Sequence, residues 1–79
     1  MVETRIAPRV RVMKAAKIDY GGDNYPCIIR DISTTGAALE FPILMRIPDR
    51  FTLIIPEDRL SLLCHVVWRK EYRVGVAFD

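Results

Sequence analysis

The chain has 79 residues, enough for one small domain. With 51% hydrophobic and 28% charged residues its composition is globular, which excludes a disordered tail. A net charge of +2 is too mild to mark a duplex-DNA binder, but residues 1–17 hold five basic side chains (Arg5, Arg9, Arg11, Lys14, Lys17) against Glu3, and residues 18–79 hold seven against nine acids. A core this small leaves no room for a deep catalytic pocket, so a site is expected on the surface.

In chain order, the first feature is Arg5-Ile6-Ala7-Pro8-Arg9, two arginines four apart ahead of any strand. Extended, four residues span up to about 13 Å, so the pair can wrap a ligand rather than grip one oxygen pair. Guanidinium forks bind phosphate bidentately and pair with guanine O6 and N7. Pro8 stiffens the arm and lowers the entropy lost on docking. A strand over 9–20 follows, with Val10, Val12, Ala16 and Ile18 on one parity and Arg11 and Lys17 on the other. Gly21-Gly22-Asp23-Asn24 closes it as a turn. A strand over 25–32 leads into Asp31-Ile32-Ser33-Thr34-Thr35-Gly36. There Asp and Ser at i and i+2 can shape a turn, and Gly36 suits a positive φ or a close approach. The same polar groups can accept from guanine N1 and N2, with the serine hydroxyl within reach of a phosphate.

Strands over 36–41 and 50–56 flank a connection bracketed by Pro42 and Pro48, and Pro56-Glu57-Asp58 fits a tight turn. A strand over 59–69 carries Leu60, Leu62, Cys64, Val66 and Trp68 on one parity. That parity marks Trp68 as a core residue, although its indole can also flank a base. The last strand, 72–78, alternates Tyr72, Val74, Val76 and Phe78 with Arg73 and Gly75. Six short strands predict an all-β fold, a small closed or split barrel, because closure hides unpaired edges.

Several chemistries find no support. Cys27 and Cys64 are too far apart for a Cys-x-x-Cys motif and read as buried free thiols. A single histidine, His65, makes no metal site and reads as a strand residue. No acid pair, Gly-x-Ser-x-Gly elbow or phosphate-binding Gly-x-x-x-x-Gly-Lys loop occurs, so no catalysis, metal or cofactor is expected. The start lacks a signal-peptide apolar run, and no run reaches the roughly 18 residues of a membrane span. The expectation is a cytoplasmic domain without membrane insertion.

Taken together, Arg5-x-x-x-Arg9, Asp31-x-Ser33-x-x-Gly36, Cys64-His65-Val66-Val67-Trp68-Arg69 and Val74-Gly75-Val76-Ala77-Phe78 resemble a PilZ domain over nearly the whole chain. Each motif alone is weak; the set, in this order and separation, is specific. The resemblance implies a bacterial all-β, six-stranded antiparallel barrel of the split or Greek-key kind that binds cyclic di-GMP, here as one domain with a flexible arm over 1–9 and a barrel over 10–79. It assigns Arg5 and Arg9 to phosphate and the guanine Hoogsteen edge, Asp31 and Ser33 to the other face of the ligand, and Gly36 to close backbone approach. Thr4 and Trp68 are secondary contacts.

Two departures from the family pattern carry expectations. Thr4 stands where many members have another arginine, associated with an intercalated ligand pair, so one ligand per domain is expected. No C-terminal helix follows the last strand, so uncovered apolar surface favours weak self-association or a downstream protein partner. A PilZ-like adaptor that has lost nucleotide binding is the alternative. A single-stranded RNA or DNA binder ranks last, because most of the seven aromatics fall at core-parity positions.

Overall fold

The computed structural model describes residues 10–79 and contains six antiparallel strands: β1 (Val10–Tyr20), β2 (Asp23–Ile32), β3 (Gly36–Glu40), β4 (Arg50–Ile55), β5 (Leu60–Arg69) and β6 (Arg73–Phe78). They close into a barrel in the order β1-β2-β3-β6-β5-β4. Hairpins join β1 to β2, β2 to β3, β4 to β5 and β5 to β6. The connection over 41–49 carries the chain from β3 across to β4, which gives the Greek-key order.

Local chemistry explains the turns. Gly21 and Gly22 both have positive φ, 60° and 84°, as a two-residue hairpin turn of matching twist requires. Pro56–Asp58 forms one 3-10 turn, tighter than a simple reversal. Arg59 ends it in the left-handed region at φ 55°, its N–H donating to the Pro56 carbonyl at 3.1 Å.

Alternate residues fill the interior: Ala16 and Ile18 from β1, Cys27 and Ile29 from β2, Ala37 and Leu39 from β3, Phe51, Leu53 and Ile55 from β4, Cys64 from β5, and Val74 and Val76 from β6. Phe41 and Ile47 join them from the crossing connection and plug one end. Ile18, Ile29, Leu39, Leu53 and Ile55 have no solvent exposure. Each such side chain contributes about 1.5–3 kcal/mol by leaving water. Both thiols are free and buried, as the sequence suggests. Desolvation pushes the Cys27 thiol up to about 12 and the Cys64 thiol up to about 11. The Cys64 Sγ–H also faces the Phe51 and Leu62 carbonyls, both at 3.6 Å.

Period-two alternation fails in three places. The β1–β2 ladder shifts between Arg11 and Lys14, β2–β3 between Ile29 and Asp31, and β5–β6 between Val66 and Trp68. In each, an extra residue enters one strand, and every side chain beyond it changes face. Trp68 is the main casualty: it stands outside the core cluster, contrary to its parity. Tyr72, also at core parity, precedes β6 in the turn and is exposed. Val10 and Leu60 lie at strand ends where the barrel no longer covers them, and are exposed too.

Candidate functional site

The shifts bring five residues from five strands into one row. Arg11 opposes Asp31, Asp31 opposes Ala38, Ala38 opposes Gly75, and Gly75 opposes Trp68. Directly opposed residues share a face. Val74 and Val76 point into the core, so Gly75 between them, and with it the whole row, looks outward. Four strand spacings make the row about 19 Å long.

The middle of the row lacks side-chain bulk, since Ala38 and Gly75 are both small and buried. Trp68 closes one end. A Cβ on Gly75 would fall 2.1 Å from the Trp68 Nε1 atom, so the indole lies directly against the glycine backbone. Asp31, half-buried, and Arg11, exposed, form the polar end. The result is a shallow strip with an aromatic plane on one side and charged groups on the other.

Ser33 shapes the turn beside Asp31. Its Oγ accepts from the N–H groups of Thr35 (3.1 Å) and Gly36 (3.2 Å), and the Ser33 N–H donates to the Gly36 carbonyl at 2.8 Å. The Ser33 hydroxyl can donate to the Gly36 carbonyl at 3.4 Å and lies 3.1 Å from Thr35 Oγ1, where either hydroxyl can be the donor. The turn is tied to β6 by Phe78 N–H donating to the Thr35 carbonyl at 2.8 Å. Gly36 does answer to close approach, but the neighbour is the protein itself. A Cβ there would sit 2.2 Å from the Val76 carbonyl oxygen, so the glycine lets β3 pair tightly with β6. Its φ is not positive.

Of the residues read as ligand contacts, Asp31, Ser33, Gly36 and Trp68 fall on or beside this strip. Arg5, Arg9 and Thr4 lie outside the described residues. Sequence reading missed Arg11 as a member of the row, because the register that places it opposite Asp31 depends on the bulge at Val12 and Met13.

Charges elsewhere have structural work. Arg69 binds the crossing connection, through the Ile47 carbonyl at 2.5 Å and Asp49 at 2.7 Å. His65 Nδ1 meets Asp79 Oδ1 at 2.6 Å, and Arg50 Nη1 reaches Asp79 Oδ2 at 3.2 Å. Glu40 Oε1 lies 3.4 Å from Arg30 Nη1 and 3.2 Å from Arg73 Nη2, with no aligned hydrogen bond from either. Among the described residues no group of three His, Cys, Asp or Glu is placed to hold a metal ion, and no helix is long and apolar enough to cross a membrane.

A closed Greek-key barrel with one polar-aromatic strip on its outside defines a small ligand-binding module. The family model for the PilZ domain matches residues 3–79, and the chain belongs to the PilZ domain family. PilZ domains are receptors for cyclic di-GMP, a ligand-binding rather than catalytic class. No curated protein matches the chain.

Proposed function

We propose that the chain binds one cyclic di-GMP molecule along the outer strip, and that binding orders the N-terminal arm over it. The observation that supports this reading is the single outward row in which the bulges align Asp31 with Trp68, the Ser33 turn beside it. Asp31 accepts from guanine N1–H and N2–H, and the Ser33 hydroxyl turns to donate to a phosphate oxygen. Trp68 flanks a base, a contact worth about 1–3 kcal/mol. Gly36 acts indirectly, by holding β3 against β6 so that the strip is flat.

Arg5 and Arg9 supply phosphate and Hoogsteen-edge contacts, each worth about 1.5–3 kcal/mol as charge-assisted hydrogen bonds. The ordered arm is a new surface for a downstream protein to read. The module performs no chemistry on its ligand and works in the cytoplasm.

Calorimetric titration with cyclic di-GMP tests the reading, with GMP and cyclic di-AMP as controls. The expected result is one ligand per chain, selective for cyclic di-GMP and weakened by salt. Arg9→Ala and Asp31→Ala should each lose at least about tenfold in affinity. Wild-type affinity in both variants would overturn it.

A further inference from the structure

On the far side of Asp31 from Trp68, the β1–β2 and β2–β3 bulges meet. Val12 and Met13 of β1 together face Arg30 of β2, and Arg30 is itself the extra residue against β3. A bulged residue leaves the regular ladder, and bulges commonly re-aim side chains next to functional sites. Here they open a surface groove of about 380 Å³ lined by Arg11, Val12, Met13 and Arg30. Met13, 72% exposed, and Val12 give it apolar walls, and the two guanidinium groups give it charge.

Among the described arginines, Arg11 and Arg30 are the two that line this groove. Arg46 and Arg59 lie elsewhere and have no acid within ion-pair distance among the described residues. Arg69, Arg50 and Arg73 each lie within 3.2 Å of an acid that belongs to the fold. Arg11 has no carboxylate within ion-pair distance among the described residues. Arg30 has only Glu40, at 3.4 Å without an aligned hydrogen bond. Two cations lining one groove repel each other, and an anion between them relieves that repulsion while using guanidinium N–H groups that make no aligned hydrogen bond to a described residue. Arg11 is also the direct cross-strand neighbour of Asp31, so whatever occupies the groove adjoins the group held by that carboxylate.

We propose that Arg11 and Arg30 form a second guanidinium clamp, which takes a phosphate of the bound cyclic dinucleotide. The inference rests on the proposed cyclic di-GMP site and extends it from the strip into the groove. The doubly anionic ligand then has this clamp in addition to the arm arginines. The planar, bidentate fit of guanidinium to phosphate favours this role over simple charge steering.

The test is calorimetric titration of the full chain with cyclic di-GMP at several salt concentrations, comparing wild type, the R11Q/R30Q double variant and Arg73→Gln. Arg73→Gln removes the other guanidinium near Glu40 but lies outside the groove. Circular dichroism and urea unfolding establish that each variant is folded. The double variant is expected to bind at least about tenfold more weakly, with a flatter dependence of log Kd on log salt, while Arg73→Gln binds as wild type. Affinity within twofold of wild type and an unchanged slope in R11Q/R30Q would overturn the clamp and leave the ligand assignment standing. An equal loss in Arg73→Gln would also overturn it, since the effect would then come from disturbing Glu40. Absence of binding by the wild-type chain removes the ligand assignment, and the clamp with it.

Discussion

The β4–β5 hairpin and the strands opposite it are built on different rules. Between β4 and β5 six consecutive pairs run from Arg50–His65 to Ile55–Leu60 without a break, and Phe51, Leu53 and Ile55 alternate strictly into the core. The β1–β2, β2–β3 and β5–β6 ladders each contain a bulge, and the residues beyond it face the other way. Every strand supplies burial, and the bulged ladders supply the outward strip as well. A barrel this small keeps alternation where it needs core and interrupts it where it needs a surface.

The contrast predicts the size of mutational effects on the two sides. Leu53→Ala removes a fully buried side chain from the regular part and should cost about 2–5 kcal/mol, measured by urea unfolding. A cost below about 1 kcal/mol would mean that β4 is not the packed half. Gly36→Ala tests the other side. Its Cβ meets a backbone carbonyl at 2.2 Å, an atom that yields only if β3 and β6 separate, so a loss of about 1–3 kcal/mol is expected. Wild-type stability would show that the strip tolerates a wider spacing.

Ser33→Ala strips two N–H groups of their acceptor at the turn and should cost about 1 kcal/mol. Gly75→Ala meets the movable Trp68 indole rather than backbone, so it should shift the Nε1–H resonance in NMR spectra more than it alters stability. An unchanged resonance would remove the indole from the glycine surface.

The buried thiols, one in a bulged strand and one in the regular hairpin, predict a pH response. Their folded pKa values are raised, so the unfolded chain loses its thiol protons first as pH rises. Stability from this source is complete below the ordinary thiol pKa of 9.0 and falls as pH climbs toward about 11 for Cys64 and about 12 for Cys27. Urea midpoints at pH 7 and pH 10 check the sign, and the drop should be shallower in Cys27→Ala. The smallest effect belongs to Lys14 and Asp58, an exposed pair at 2.7 Å. Lys14→Gln should leave the urea midpoint unchanged.

Much of the fold was legible because burial imposes a period of two on strands and turns impose their own residues. Gly21-Gly22 marked its hairpin, and Ala16, Ile18, Cys64, Val74 and Val76 marked the core. Strand ends differed by a residue or two, since pairing at an edge depends on the neighbouring strand more than on the residue itself. The bulges were not legible: nothing in Val66-Val67-Trp68 distinguishes a continuous strand from one with an extra residue at Val67. For that reason Trp68 read as core and Arg11 as a generic outward charge. Asp31 and Ser33 stood out because their chemistry is local to the turn they precede and form.

Trp68 is the only tryptophan in the chain, and the Val67 bulge sets it on the outer strip rather than in the barrel interior. The protein therefore carries its own optical probe, a lone fluorophore whose emission answers to what lands beside it. If cyclic di-GMP seats on the strip as proposed, its binding is expected to show as quenching, label-free and in stopped flow, with no second indole to dilute the signal.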